Sequence, residues 1–342
     1  MCSFKKISLL LREIGKRRDL IVKYMQSFVQ QDDHILVDMT NVFSSSSKIP
    51  LVRAGYNSDL IFDSQFNLMY IYSMNLRSPV FYRIYGGNIK DVKGFKTILE
   101  ESGISDAIII ADKGFYSECN INLLDESELR YIIPMRRSNK HIEYDKIVSD
   151  KIKTAKNYFK HENRYIWYYS QEKEEKKIHI YLDDRLKNME ETDYLNRVSS
   201  HPEKYTIEKY HQKKERFGTI GIYTNITSLT EKEVYETYKS RVNIEVMFDG
   251  MKNILDCDKT YMQDEDALQG WMFINHLALQ LYHRMYLIIK EKEIINKYSV
   301  SDMITHMKEI RKVKIGDEWR LEAITSSTEK MMTKLGLPIT YD

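Results

Sequence analysis

The chain has 342 residues, 42% of them hydrophobic and 30% charged, which is globular composition and excludes a disordered or fibrous protein. That length accommodates one large domain or two modest ones. Its 52 Lys and Arg stand against 50 Asp and Glu, and the resulting formal charge of +2 argues against a simple polybasic nucleic-acid binder.

The charge is uneven along the chain: residues 1–31 carry +5, 32–133 carry −5, 134–216 carry +5 and 217–342 carry −3. A function needing both cations and phosphates would produce this alternation, and so would chance at these counts. Cys2, Cys119 and Cys257 are scattered, form neither a disulfide framework nor a zinc-ligand spacing, and suggest a reducing compartment. Leu9 to Leu11 is too short a run for a secretory signal. The most apolar stretch, Leu268 to Ile289, is interrupted by Asn275, His276, Gln280, His283 and Arg284, so it reads as a buried helix and not a membrane span. A soluble, cytoplasmic protein without a membrane partner is expected.

In chain order, the first thirty residues read as a basic helix with apolar positions at Leu9, Ile14, Ile21 and Tyr24. Ile35-Leu36-Val37-Asp38-Met39 is an apolar run typical of a buried strand, carrying an acid near its end. Phe66 to Ser73 and Pro79 to Tyr85 alternate as two further strands, followed by a turn at Gly86-Gly87-Asn88 and a helix from Asp91 to Glu101. Ala107 to Ala111 is the strongest buried strand and again ends on an acid, Asp112. A helix over Ser117 to Glu128 and a strand over Tyr131 to Ile133 complete an α/β pattern with mixed pairing. Residues 134–228 are rich in Tyr and Lys and contain alternating runs at Arg164 to Ser170 and Lys177 to Leu182, which predicts a β-rich insertion with Phe217 to Thr224 as its returning strand. Beyond Thr230 the chain turns helical, over Glu231 to Leu255, then Asp264 to Lys290, then shorter helices.

An acid at the end of one buried strand can simply mark the exposed edge of a loop. Two strong strands ending alike, at Asp38 and Asp112, raise the sharper reading, because ligands of open α/β sheets gather outside strand ends. Such a pair can hold hard Mg²⁺ or Mn²⁺. On the helix after Thr230, Tyr238, Arg241, Glu245 and Lys252 lie at offsets 0, 3, 7 and 14. At about 100° per residue these fall at roughly 0°, −60°, −20° and −40°, one narrow stripe beside the apolar face of Ile244, Phe248, Met251 and Leu255. An ordinary amphipathic helix with a Glu- and Lys-rich solvent face gives the same angles, and Asp249, at about +20°, rivals Glu245 on angle alone.

The spacing Y-x2-R-x3-E-x6-K resembles the signature of DDE transposases of the insertion-sequence 4 type. Val37-Asp38-Met39-Thr40 resembles that group's first-Asp motif and Ala111-Asp112-Lys113-Gly114-Phe115-Tyr116-Ser117 its second. Gly55-Tyr56-Asn57 through Gly87-Asn88-Ile89-Lys90-Asp91 is similar to the linking region, and Tyr223-Thr224-Asn225 is also typical; the likeness covers roughly residues 34–290. The resemblance implies an α/β, ribonuclease H-like catalytic domain with a β-rich insertion before the glutamate helix. It divides the chain into a basic helical segment (1–31), a first part of the core (32–133), the insertion (134–228), a second part of the core (229–290) and a C-terminal helical region (291–342).

By that resemblance Asp38, Asp112 and Glu245 would hold two Mg²⁺ or Mn²⁺ ions for strand cleavage and strand transfer at double-stranded transposon ends. Arg241 and Lys252 would contact phosphates and Tyr238 would hydrogen-bond one. A homodimer in a synaptic complex, nucleoid-associated when on DNA, is implied as the working form. Trp167 would stack on a flipped base or pack the insertion's own layer. His276 and His283 read as core or DNA-proximal residues and not metal ligands. Only 37 residues precede Asp38, so most of the family's N-terminal DNA-binding region is expected to be missing. A nuclease sharing the fold, and a non-catalytic remnant that binds DNA or inhibits a full-length transposase, are the competing readings.

Overall fold

A computed structural model describes residues 4–56, 62–89, 91–148, 157–173, 175–337 and 339. The chain runs through α1 (Phe4–Gly15), α2 (Arg18–Gln26), β1 (Asp33–Ser44), β2 (Arg53–Tyr56), β3 (Phe62–Ser73), β4 (Ser78–Gly86), α3 (Asp91–Ser102) and β5 (Ala107–Ala111). It continues through α4 (Glu118–Glu126), β6 (Arg130–Met135), α5 (Tyr144–Val148), β7 (Tyr158–His161), β8 (Arg164–Lys173), β9 (Lys176–Asp183), α6 (Asp184–Ser200), α7 (Ile207–Lys213) and β10 (Thr219–Thr224). The last third holds α8 (Glu231–Lys239), α9 (Val242–Asp249), β11 (Lys259–Thr260), α10 (Glu265–Glu291), α11 (Val300–Glu309), β12 (Lys312–Ile315), β13 (Glu318–Leu321) and α12 (Ser326–Leu335). Two compact units result: residues 17–246 with 259–265, and residues 1–16 with 247–258 and 266–342.

The larger unit is built on one mixed sheet in the order β2-β3-β1-β5-β6-β10-β9-β8-β7. β2 and β4 share the outer edge of β3, β2 along its first four residues and β4 along the rest. β5 lies parallel to both β1 and β6, and all five residues of its Ala-Ile-Ile-Ile-Ala run are buried, as befits a parallel strand covered on both faces. β3 is also buried from Gln65 onward, so the alternation expected for Phe66 to Ser73 does not appear: an interior strand of a sheet covered on both sides has no solvent face to alternate with. The motif segments have local structural work. Asn67 donates to the carbonyls of Gly87 (3.3 Å) and Ile89 (2.7 Å), fixing the turn after β4, while Asn57 and Lys90 of the same linking stretch lie outside the described residues. Asn225 accepts from the Tyr131 amide and donates to the Leu129 carbonyl, both at 3.0 Å, clamping the end of β10 to the start of β6.

Residues 134–228 carry the strands β7–β9, which pair onward from β10 in the same sheet, and also the helices α5, α6 and α7. His179 on β9 is fully buried; its Nδ1 faces the Ser170 hydroxyl at 2.7 Å, and that hydroxyl donates to Glu231 at 3.0 Å. Burial pushes its imidazole pKa down to about 4, with Glu231 opposing. Between its ordinary value of 6.5 and about 4 the unfolded chain therefore binds the proton that the folded chain refuses, and stability falls as pH drops through that window.

The N-terminal segment is two helices and not one. α1 and α2 are separated at Lys16-Arg17; Leu9 and Tyr24 are exposed, and the buried positions of α2 are Ile21 and Met25. In the smaller unit, α1 crosses α10 at two glycines. A Cβ on Gly270 would sit 1.9 Å from the Leu11 carbonyl oxygen, and one on Gly15 would sit 1.7 Å from that of Asp266. Backbone meets backbone there. The C-terminal half of the unit packs α11 and α12 on the end of α10 through Ile289, Met303, Met331 and Leu335. Among the described residues no helix is long and apolar enough to cross a membrane.

Two consequences are measurable. Gly270→Leu gains helix propensity yet drives a side chain into a carbonyl that cannot yield, so a loss of about 1–3 kcal/mol is expected in denaturant unfolding. The urea midpoint falls from neutral pH toward pH 4, and His179→Gln flattens that dependence; an unchanged slope in the variant would assign the acid sensitivity elsewhere.

Candidate active site

The parallel register of β1 on β5 runs from Asp33 opposite Ala107 to Val37 opposite Ala111. The next residue on each strand is an aspartate. Asp112 keeps extended backbone (φ −78°, ψ 166°), so the register carries Asp38 and Asp112 side by side on neighbouring strands about 5 Å apart, Asp112 just past the end of β5 and Asp38 midway along β1, which runs on to Ser44 and does not end at the acid as expected. Immediately beyond, Lys113–Phe115 form a tight turn whose Phe115 is buried, and Ser117 caps α4 by accepting from the Asn120 amide. The acid is thus held at both ends, by a buried strand before it and an anchored turn after it.

The third carboxylate arrives on α9. Thr230 and Glu233 form a reciprocal cap that starts α8. The single helix expected from Glu231 to Leu255 is broken twice. At Ser240-Arg241 the backbone tightens, with Arg241 N–H donating to Tyr238 and Asn243 N–H to Ser240, while the Ser240 hydroxyl donates to the Thr237 carbonyl at 2.6 Å. At Gly250–Ile254 the turn widens. Both breaks interrupt the α-helical period on which the calculated angles rest. Lys252 lies in that wider turn, in the smaller unit. Asp249, the rival to Glu245, accepts from the Asn253 amide at 2.6 Å.

Tyr238, Arg241 and Glu245 are brought toward the aspartates. The Arg241 guanidinium spans two acids: Nη1 lies 3.1 Å from Asp38 Oδ2 and Nη2 lies 2.9 Å from Glu245 Oε1. Asp38 Oδ1 accepts the Met39 N–H at 2.9 Å. The Arg241 side chain is 14% exposed and that of Asp38 is 17%, whereas Glu245 is 56% exposed and so the most accessible of the three partners. Burial works against the Arg241 charge, but Asp38 and Asp112, with Tyr238 and Glu245, more than offset it and raise the pKa. Burial pushes the Tyr238 phenol up to about 12, opposed by Arg241 and reinforced by Asp112, Glu245 and Asp38. Tyr238 is therefore a neutral O–H donor at any physiological pH. Among the described residues no three His, Cys, Asp or Glu side chains are grouped as a metal site, and a guanidinium stands between two of the acids.

A cleft of about 550 Å³ opens against Asp112 and Tyr238, bordered by Tyr181, Asp183, Tyr235 and Lys239. Sequence reasoning missed these four. Lys239 lies over the Tyr235 ring at 5.2 Å, and burial, then the nearby Arg164 charge, lowers its pKa. Asp183 is buried, pairs with Arg164 at 3.0 Å and caps α6. The one available signal was the adjacency of Lys239 to Tyr238; the others come from distant segments. Trp167 donates from Nε1 to Asp184 at 3.0 Å, and its ring sits 5.3 Å from that of Tyr158. His276 and His283 are buried along α10.

Residues 30–281 match the family model described as the transposase DDE domain. The chain belongs to that family. No curated protein matches the sequence. Among solved structures, the chain is similar to the piggyBac transposase in a cryo-EM synaptic complex with hairpin DNA, at a TM-score of 0.51 and 12% identity over 94% of this chain. That likeness is one of fold, a mixed α/β, ribonuclease H-like sheet flanked by helices, and this chain spans 55% of the neighbour's length. DDE transposases generally use divalent metal ions.

The ion-pair geometry predicts a coupling. Arg241→Gln strands two carboxylates beside a third and costs about 1–3 kcal/mol at low ionic strength. Asp38→Asn combined with Arg241→Gln should cost less than the sum of the single variants, because the neutral amide that replaces the Asp38 carboxylate no longer needs a cation; simple additivity in denaturant unfolding would exclude the coupling.

Proposed function

We propose that this chain is a DDE transposase of the insertion-sequence 4 type that cleaves and transfers DNA strands at transposon ends, with Asp38, Asp112 and Glu245 as its acidic triad. The observation that carries the reading is the juxtaposition of Asp38 and Asp112 by strand register, with Glu245 joined to Asp38 through one guanidinium.

The donor chemistry fits a divalent ion. All three acids are hard oxygen ligands of the kind Mg²⁺ and Mn²⁺ prefer, and the cluster already draws a cation to itself, namely Arg241. Ions bound there, two in the working enzyme, would supply the activation of a water or 3′-hydroxyl and the stabilisation of the leaving oxygen. The chain's own groups do the rest. Arg241 is bidentate between carboxylates, and a scissile phosphodiester offers an equivalent pair of oxygen acceptors for the same two N–H edges. Tyr238, held protonated, donates its O–H to a phosphate oxygen. Lys252 completes the Y-R-E-K signature as a second phosphate contact. The working form is a homodimer that pairs two double-stranded transposon ends, associated with the nucleoid when on DNA. The core is residues 32–133 and 229–290, interrupted by the insertion at 134–228 and flanked by the helical segments 1–31 and 291–342.

DNA carrying the element's ends should be cut in Mg²⁺ or Mn²⁺, and Asp38→Asn, Asp112→Asn and Glu245→Gln should each reduce cleavage by at least about a thousandfold while still binding DNA. Activity unchanged in any of the three would remove that acid from the triad. DNA binding without cleavage by the native chain would favour the non-catalytic reading.

A further inference from the structure

A second cleft, of about 440 Å³, lies on the larger unit and has no part in the site above. Four stretches distant in sequence make it: Tyr116 and Glu118 at the start of α4, the loop Ser138–His141 after β6, Lys173 and Lys176 on the β8–β9 hairpin, and Tyr223 of β10. Two of its walls come from motif segments whose purpose the acidic triad leaves unused, since Tyr116 lies next to last in the second-Asp motif and Tyr223 opens Tyr223-Thr224-Asn225. Their rings meet edge to face at 5.9 Å.

The cations of this cleft differ in how far they are engaged. Lys176 pairs with Asp125 and lies 5.8 Å from the centre of the Tyr223 ring. Lys140 and Lys173 have no side-chain hydrogen bond or ion pair among the described residues, and Glu118 is the one acid among the lining residues. A cleft of nucleotide size, walled by lysines, amide groups and tyrosine edges, suits a phosphate with its sugar and not an apolar ligand. Its place is also informative. Tyr116 is four residues from Asp112 on the same loop, so their Cα atoms are at most about 14 Å apart. At about 3.4 Å of rise per nucleotide in one strand, that spans roughly four steps.

We propose that this cleft binds the sugar–phosphate backbone of a DNA strand a few nucleotides from the phosphate at the carboxylates, through Lys140 and Lys173. The proposal rests on the transposase reading for its ligand, and on the cleft alone for its location. It concerns a strand's backbone, so it carries affinity and register and no sequence preference.

The test uses the full chain with Lys140→Gln and Lys173→Gln together, both outside the catalytic constellation. Fluorescence anisotropy with an end-bearing duplex across a salt series should show the slope of log K against log salt reduced by about 2, one unit per lost phosphate contact. Lys140→Arg with Lys173→Arg should restore it, and cleavage at saturating DNA should be unchanged in both. A slope equal to that of the native chain overturns the proposal. So does a thermal shift by thymidine monophosphate, or binding of polyglutamate, that the Gln variant loses while its DNA slope is unaltered; these would assign the cleft to a free nucleotide or an acidic polypeptide. A native chain that binds DNA but cuts nothing overturns the transposase reading and leaves the slope to decide the cleft. One that does not bind DNA overturns both.

Discussion

The parallel register of β1 on β5 is the constraint on which the rest of the larger unit depends. Asp38 and Asp112 are neighbours because Val37 pairs with Ala111, and a slip of one residue would turn one acid to the opposite face of the sheet. What forbids the slip is burial. β5 is apolar along its whole length and covered on both sides, and β1 is held on its other edge by nine consecutive antiparallel pairs with β3. Two like charges are thereby fixed next to one another by hydrophobic packing remote from them. That is an unfavourable arrangement unless a cation is supplied, and Arg241 supplies one.

Arg241 can do so because of a defect in its helix. The tightened turn at Ser240-Arg241 separates α8 from α9, so that Tyr238 ends up on one segment and Glu245 on the next, both near the aspartates and Arg241. A largely buried guanidinium that satisfies two carboxylates has a raised pKa and stays charged, while its partner Glu245 keeps more than half of its side chain in solvent. The site is consequently preorganised at its aspartates and open at its glutamate. A ligand that offers phosphate oxygens to Arg241 competes with carboxylates for the same donors, which couples its arrival to the exposure of acid oxygens.

Much of this could be read from the residues. Parallel strands buried on both faces are continuous apolar runs, so Ile35 to Val37 and Ala107 to Ala111 were legible, and so was the aspartate after each run, although β1 continues past Asp38 to Ser44. The long helix of Glu265–Glu291 was legible from its length and pattern. The break at Ser240 was not, because it rests on a serine hydroxyl turning to its own helix's carbonyl, a choice that leaves the apolar period intact on either side. Leu9 and Tyr24 misled for a related reason: a period counted across Lys16-Arg17 runs past the end of one helix into the start of another. The family resemblance named the acids and the Y-R-E-K residues, but it did not reveal that Lys239, Tyr235 and Asp183 line the cleft beside them.

Those omissions follow from how the sheet is continued. The strands after β10 belong to residues 158–183 yet extend the sheet in which the aspartates sit, so side chains more than forty residues in sequence from Asp38, Asp112 and Glu245 line the cleft at Asp112. The same continuation brings the β8–β9 hairpin near the loop that follows β6, where Lys173, Tyr116 and Lys140 line one cleft. The loop Asp112–Ser117 therefore has a cleft at each end, one against the carboxylates and one among lysines. A segment of polyanion lying along that loop would meet carboxylates at one end and plain ammonium charge at the other. The near-neutral formal charge of +2 conceals this division, because it sums the acids gathered around Arg241 with the lysines of the second cleft.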